Sequence, residues 1–170
     1  KPGVLLKSTL FLDGLITIQN PINGLIVDLL DPKGHDKIID VCAAPGGKAA
    51  YILERLDKAN TLITYDINKE RGVKLKNTMT RLNLNNYTFS ILDVSKNKLP
   101  LADKIICDVP CSGTGTISKR SDLRWRLKIN NITEHQSNQI NILNNICKYV
   151  KSGGVIVYST CSIEKEENWD

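Results

Sequence analysis

Five short apolar runs, separated by loops and amphipathic stretches, occupy the chain from residue 37 onward. Residues 37–42, 61–65, 87–92, 104–107 and 155–159 read as buried strands. Residues 48–56, 69–82 and 132–150 carry helical periodicity. The first of these helices buries Ala49, Ile52, Leu53 and Leu56. The second buries Leu75, Met79 and Leu82 and turns Arg71, Lys74, Lys76 and Arg81 to water. The third buries Ile140, Leu143, Cys147 and Val150. Strand and helix alternating at this spacing leave one economical solution, a mostly parallel, doubly wound α/β sheet of Rossmann-like type. In such sheets ligands sit over the carboxyl ends of the strands. The reactive residue types obey that rule five times: residues 42–48, Asp66, Asp93, 108–111 and 160–161 each follow a strand directly.

Ahead of the sheet, residues 4–12 and 15–19 read as the arms of a hairpin turning at Asp13-Gly14. A helix follows, with Asn20 as N-cap, Pro21 at the first position and Ile22, Leu25, Ile26, Leu29 and Leu30 on one face. This divides the chain into an N-terminal hairpin and helix (1–37) and a ligand-binding α/β unit (38–170). The first residue is not Met, so the sequence reads as a piece of a longer protein.

The loop after the first strand is Cys42-Ala43-Ala44-Pro45-Gly46-Gly47-Lys48. Its small residues let a ligand approach the backbone. Cys42 and Ala49 stand where a P-loop needs Gly and Ser or Thr, and no G-x-G-x-x-G is present. Asp66, 19 residues past Gly47, ends the second strand, where an acid accepts both hydroxyls of a ribose. The ligand therefore carries a ribose and needs no pyrophosphate.

Five cysteines without a secretory leader point to free thiols in a reducing, intracellular compartment. Cys107 and Cys147 lie on apolar faces and read as small buried hydrophobes. Cys111 and Cys161 follow neighbouring strands, which puts both thiols over one cleft. Cys107-x3-Cys111 lacks a second ligand pair, and His35 and His135 stand apart from the motifs, so no metal is expected. No 18-residue apolar run exists, so no membrane span is expected either. A net charge of +5 gives a mild bias towards polyanions. That charge concentrates at Lys119, Arg120, Arg124, Arg126 and Lys128, around Trp125, in a stretch suited to phosphate pairing and base stacking on RNA. The same stretch also reads as a solvated loop, with Trp125 as its packing residue.

Together D-V-C-A-A-P-G-G-K, Asp66, D-V-P-C-S-G-T-G with a trailing R-x-D-L-R-W-R, and Y-S-T-C-S-I-x-x-x-E-N resemble the Sun/nucleolar-protein family of RNA cytosine-C5 methyltransferases. The resemblance covers residues 14–170 and implies a Rossmann-like fold using S-adenosylmethionine (SAM), with further strands beyond residue 170. It implies that Cys42, Ala43, Ala44, Pro45, Gly46, Gly47 and Lys48 contact SAM, that Asp66 holds its ribose, and that Asp93 lies by the adenine. It places Asp108 between cofactor and base, makes Cys161 the nucleophile and gives Cys111 the task of product release. Ser121 and Asn23 depart from the usual Pro and Ser of the family, away from this chemistry.

The chemistry accounts for the residue types. Cytosine C5 is too poor a nucleophile to take a methyl group until a thiolate adds at C6, and Asp108 near N3 stabilises the developing charge. A nucleophilic cysteine with its pKa lowered towards neutrality suits that addition, and the target base must be unstacked. The expectation is thus an RNA cytosine-C5 methyltransferase acting on ribosomal RNA, with a monomer assumed and the cytoplasm, the nucleolus or an organelle as its place. A tRNA-directed member of the family and a non-catalytic RNA-binding scaffold are the alternatives.

Overall fold

The computed structural model describes residues 2–169. Five parallel strands form one sheet: β1 (Ile38–Asp40), β2 (Leu62–Asp66), β3 (Tyr87–Ile91), β4 (Ala102–Asp108) and β5 (Val150–Ser159). Their spatial order is β3-β2-β1-β4-β5, so the strand order reverses between β1 and β4. Register brings Asp40 beside Ile106 and Asp108 beside Ser159, aligning the strand ends that carry the motif loops. The strand period of two sends neighbouring residues to opposite faces. Ile38 and Ile106 enter a core with Leu30, Ile52, Leu62, Leu75 and Met79. Ile39 and Ile105 enter a second core with Val41, Cys107, Ile142 and Ile146. Helices α3 (Pro21–Leu30), α4 (Gly47–Leu53) and α5 (Lys69–Arg81) supply the first core, and α7 (Ile129–Ile146) supplies the second.

The N-terminal hairpin is replaced by two short helical turns, α1 (Pro2–Leu5) and α2 (Thr9–Leu12). Ser8 caps α2 through its side chain at Phe11 N, and Asp13 N closes on Thr9 O at 2.8 Å. The turn at Gly14 is present (φ 77°), but it packs against the Arg81 carbonyl, which lies 1.8 Å from where a Cβ would stand. Arg81 does not simply face water, because its guanidinium donates to Phe11 O at 2.6 Å and Ile16 O at 3.0 Å.

Helix α3 keeps its expected N-cap Asn20 and Pro21 at the first position, yet its buried residues are Val27 and Leu30. Ile22, Leu25 and Leu29 lie exposed. Helix α7 is shifted likewise: it buries Gln139, Ile142, Asn145 and Ile146, whereas Ile140 and Cys147 are exposed and Val150 begins β5. The buried amides are satisfied, Asn145 Nδ2 donating to Val94 O and Asn97 O, both at 2.8 Å. Cys107 is buried, as its apolar neighbours imply, and Cys147 is not.

Candidate active site

Helix α4 begins at the motif loop after Gly46, whose φ of 104° is left-handed and where a Cβ would stand 3.3 Å from Leu75 Cγ and 3.5 Å from Met79 Cε. Asp66, only 2% exposed, holds that loop from the end of β2. Its Oδ2 accepts from Ala44 N at 3.1 Å and its Oδ1 from Asn68 N at 2.9 Å. Arg71 reaches over the same loop, donating to Ala44 O and standing 3.8 Å from Asp66. Its expected solvent-facing role gives way to this contact. Asp66, Arg71, Cys42 and Asp93 border one cleft whose apolar walls are Val41, Ile67, Val94, Pro110 and Ile142. A carboxylate beside apolar walls fits a nucleoside. Asp93 accepts from Ser95 Oγ at 2.6 Å, and that bond chiefly lowers its pKa.

On the other side of Cys42, a polar cleft joins Asp40, Lys48 and Asp108 to Gln19, Asn20 and Asn23. Lys48 Nζ pairs with Asp108 Oδ2 at 2.5 Å, and Ser159 Oγ donates to Asp108 Oδ1 at 2.8 Å. The ammonium thus serves Asp108 directly. Asp40, absent from the sequence-derived candidates although it opens the D-V-C-A-A-P-G-G-K motif, is 2% exposed. Burial lifts its pKa to about 7 against the pull of Lys48, and the Asp108 charge adds to the rise.

The two motif thiols meet. Cys111 Sγ and Cys161 Sγ stand 3.1 Å apart at the ends of adjacent strands. The hydrogen bond from Cys161, aided by Thr160, lowers Cys111 to about 6 against the opposing effect of burial. The same bond raises Cys161, with burial and the Cys111 and Asp108 charges adding to the rise. The direction of the shift is thus opposite to the one expected for Cys161, and the shared bond favours a thiolate on Cys111. Burial pushes the Cys42 thiol up, so it stays protonated.

The basic stretch lies beyond the Cys111 loop and contains a short helix, α6 (Leu123–Arg126). Lys119, Arg120, Arg124 and Arg126 are exposed, and Trp125, 79% exposed, packs little against the rest of the described residues. Arg126 pairs with Asp122 at 3.1 Å. Among the described residues, no group of three or more His, Cys, Asp or Glu side chains is arranged to hold a metal ion, and no helix is long and apolar enough to cross a membrane.

Residues 27–170 match the model of the 16S rRNA methyltransferase RsmB/F family. The chain belongs to this family. Ribosomal RNA small subunit methyltransferase B of Serratia proteamaculans is 38% identical over 165 residues, 93% of this chain and 37% of that protein. The Yersinia pseudotuberculosis protein of the same name is 38% identical over 162 residues. The chain thus spans 37% of the length of these RsmB/F relatives. Among solved structures, NSun6 from Pyrococcus horikoshii with SFG superposes with TM-score 0.88 at 32% identity, over 96% of this chain and 42% of that one. A methyltransferase homolog protein from the same organism gives 0.82 at 32% identity, over 96% and 52%.

Proposed function

We propose that this chain is the catalytic unit of a SAM-dependent RNA cytosine-C5 methyltransferase acting on ribosomal RNA. Residues 38–170 supply the chemistry, and residues 1–37 lead into it. The observation that carries this reading is the thiol pair, 3.1 Å apart at the strand ends beside Asp108. The names of the relatives support ribosomal RNA as substrate, and the SFG, a SAM analogue, named with NSun6 supports the cofactor. The Asp66 cleft, which Asp93 also lines, suits the nucleoside of SAM. Bound there, SAM supplies an electrophilic methyl group.

The chain's own residues manage the base and the protons. As Cys161 Sγ bonds to C6, its proton passes to water, through the Cys111 thiolate in the wild type and directly where that thiolate is removed, so Cys111 is required only for the later release. Lys48 Nζ offsets the negative charge entering the ring, and Asp108, held at both oxygens, fixes the orientation of the base edge. Cys111, partly exposed, passes the proton to water. Its thiolate then takes the C5 proton as the C6–Sγ bond breaks. Cys161 leaves as a thiolate and recovers that proton, so one proton reaches solvent per turnover.

Lys119, Arg120, Arg124, Trp125 and Arg126 offer phosphate and stacking contacts to a single-stranded segment. A reducing intracellular compartment keeps both thiols free. The test uses unmodified small-subunit rRNA and methyl-labelled SAM. Cys161→Ser abolishes incorporation, while Cys111→Ser leaves a denaturation-resistant protein–RNA adduct. Methylation by Cys161→Ser, or no adduct with Cys111→Ser, overturns the assignment.

A further inference from the structure

The Glu167-Asn168 pair closes the third sequence motif, yet neither residue takes part in the chemistry above. Glu167 is 2% exposed, behind the two cysteine loops. We propose that Glu167 is the positioning residue for both thiols, its carboxylate tying the loop that carries Cys111 to the loop that carries Cys161.

The peptide units on either side of Cys111 are anchored to it. Ser112 N donates to Glu167 Oε1 at 2.9 Å, and Ser112 Oγ donates to Oε2. Gln139 Nε2, on α7, bridges Pro110 O at 2.9 Å and Glu167 Oε1 at 3.0 Å. Towards Cys161, Ser162 Oγ stands 3.1 Å from Ser112 Oγ and 3.2 Å from Thr114 Oγ1. Asn168 Nδ2 donates to Ser162 O at 3.2 Å, and Tyr158 OH on β5 donates to Glu167 O at 3.0 Å. A buried carboxylate persists when donors surround it, and a network of this kind holds one geometry. Burial raises the Glu167 pKa, but bonds from Ser112, Ser162 and Gln139 outweigh it and leave the group lowered and ionised.

Cys111 is half-buried and Cys161 exposed, so their 3.1 Å contact depends on how these two loops are held. Glutamine keeps the length of Glu167 but exchanges one acceptor for an N–H₂ donor, which one Ser112 hydroxyl rotation accommodates. Alanine removes the acceptor altogether.

The inference rests on the methyltransferase reading, and its experiment separates the two. Glu167→Ala, Glu167→Gln and Ser112→Ala are compared with wild type for kcat and KM towards SAM on small-subunit rRNA, and for the pH midpoint of Cys111 alkylation without RNA. Glu167→Ala lowers kcat about tenfold or more while KM for SAM stays within about twofold, and moves the Cys111 midpoint upward. Glu167→Gln recovers most of both, and Ser112→Ala falls between. A wild-type Cys111 midpoint in Glu167→Ala or Ser112→Ala overturns the inference, whatever the activity. A wild-type protein that neither methylates nor traps RNA overturns the functional reading, while the midpoint series still decides the clamp.

Discussion

Cys161→Ala removes the hydrogen bond that is the largest cause lowering Cys111. Cys111 stands at about 6 against an ordinary thiol value of 9.0. At pH 7 a group of pKa 6 is about 90% thiolate, and one of pKa 9 about 1%. Thr160 and the backbone N–H groups of Cys161 and Gly113 still act in the variant, and water screens a partly exposed site, so the full difference is not lost. The expected midpoint for Cys111 in Cys161→Ala is about 7.5 to 8, leaving roughly 10–25% thiolate at pH 7. The assay is the rate of iodoacetamide labelling of the Cys111 peptide from pH 5 to 9, followed by mass spectrometry. The exposed Cys147, on another element, reports any general change in reagent access. A variant midpoint still near 6 refutes the claim that Cys161 is the proton-sharing partner. A wild-type midpoint near 9 refutes the ionised Cys111 on which the proton transfers depend.

Asp66→Ala leaves the Ala44 and Asn68 N–H groups without their acceptor and removes the proposed ribose partner. SAM affinity, measured by calorimetry, falls about ten- to a hundredfold, and RNA affinity changes less; the reverse order removes Asp66 from the cofactor site. Asp40 holds its proton to about 7 in the fold and only to 3.8 in the unfolded chain. The native state therefore binds more protons across that window, and Asp40's contribution to stability is full below about pH 4 and lost as pH rises through 7. Lys48, Asp108 and Asp66 are the charges facing it. Asp40→Asn flattens this decline, by up to about 4 kcal/mol between the two limits. Identical Tm-against-pH curves for variant and wild type refute the buried acid.

The strands were legible because each is a short apolar run ending at a motif loop, and β1 to β4 lie within a few residues of their expected limits. The helical faces were harder to read. Letters alone place Ile140, Leu143 and Cys147 inward on α7, but the buried line runs through Gln139 and Asn145, which meet carbonyls of other elements. A polar residue counts as core only when its partner is known, and that partner comes from elsewhere in the chain. The same limit hid the Arg71 contact with Ala44 and the partnership of Lys48 with Asp108, 60 residues apart. The segment at 4–19 misled for a local reason: an Asp-Gly turn serves hairpins and helix ends alike, and Ser8-Thr9 was the capping signal that distinguished them.

The sequence by itself determined the parallel sheet and the family, and singled out Cys111 and Cys161 as candidates, because these follow from periodicity and from motifs contiguous along the chain. Only the tertiary structure showed that the two thiols share one hydrogen bond, which lowers Cys111 and raises Cys161. That depends on a 3.1 Å contact between loops 50 residues apart, and on the buried carboxylate of Glu167 beneath them. Hydrogen bonds of that kind are set by the register of neighbouring strands, which no stretch of sequence states alone.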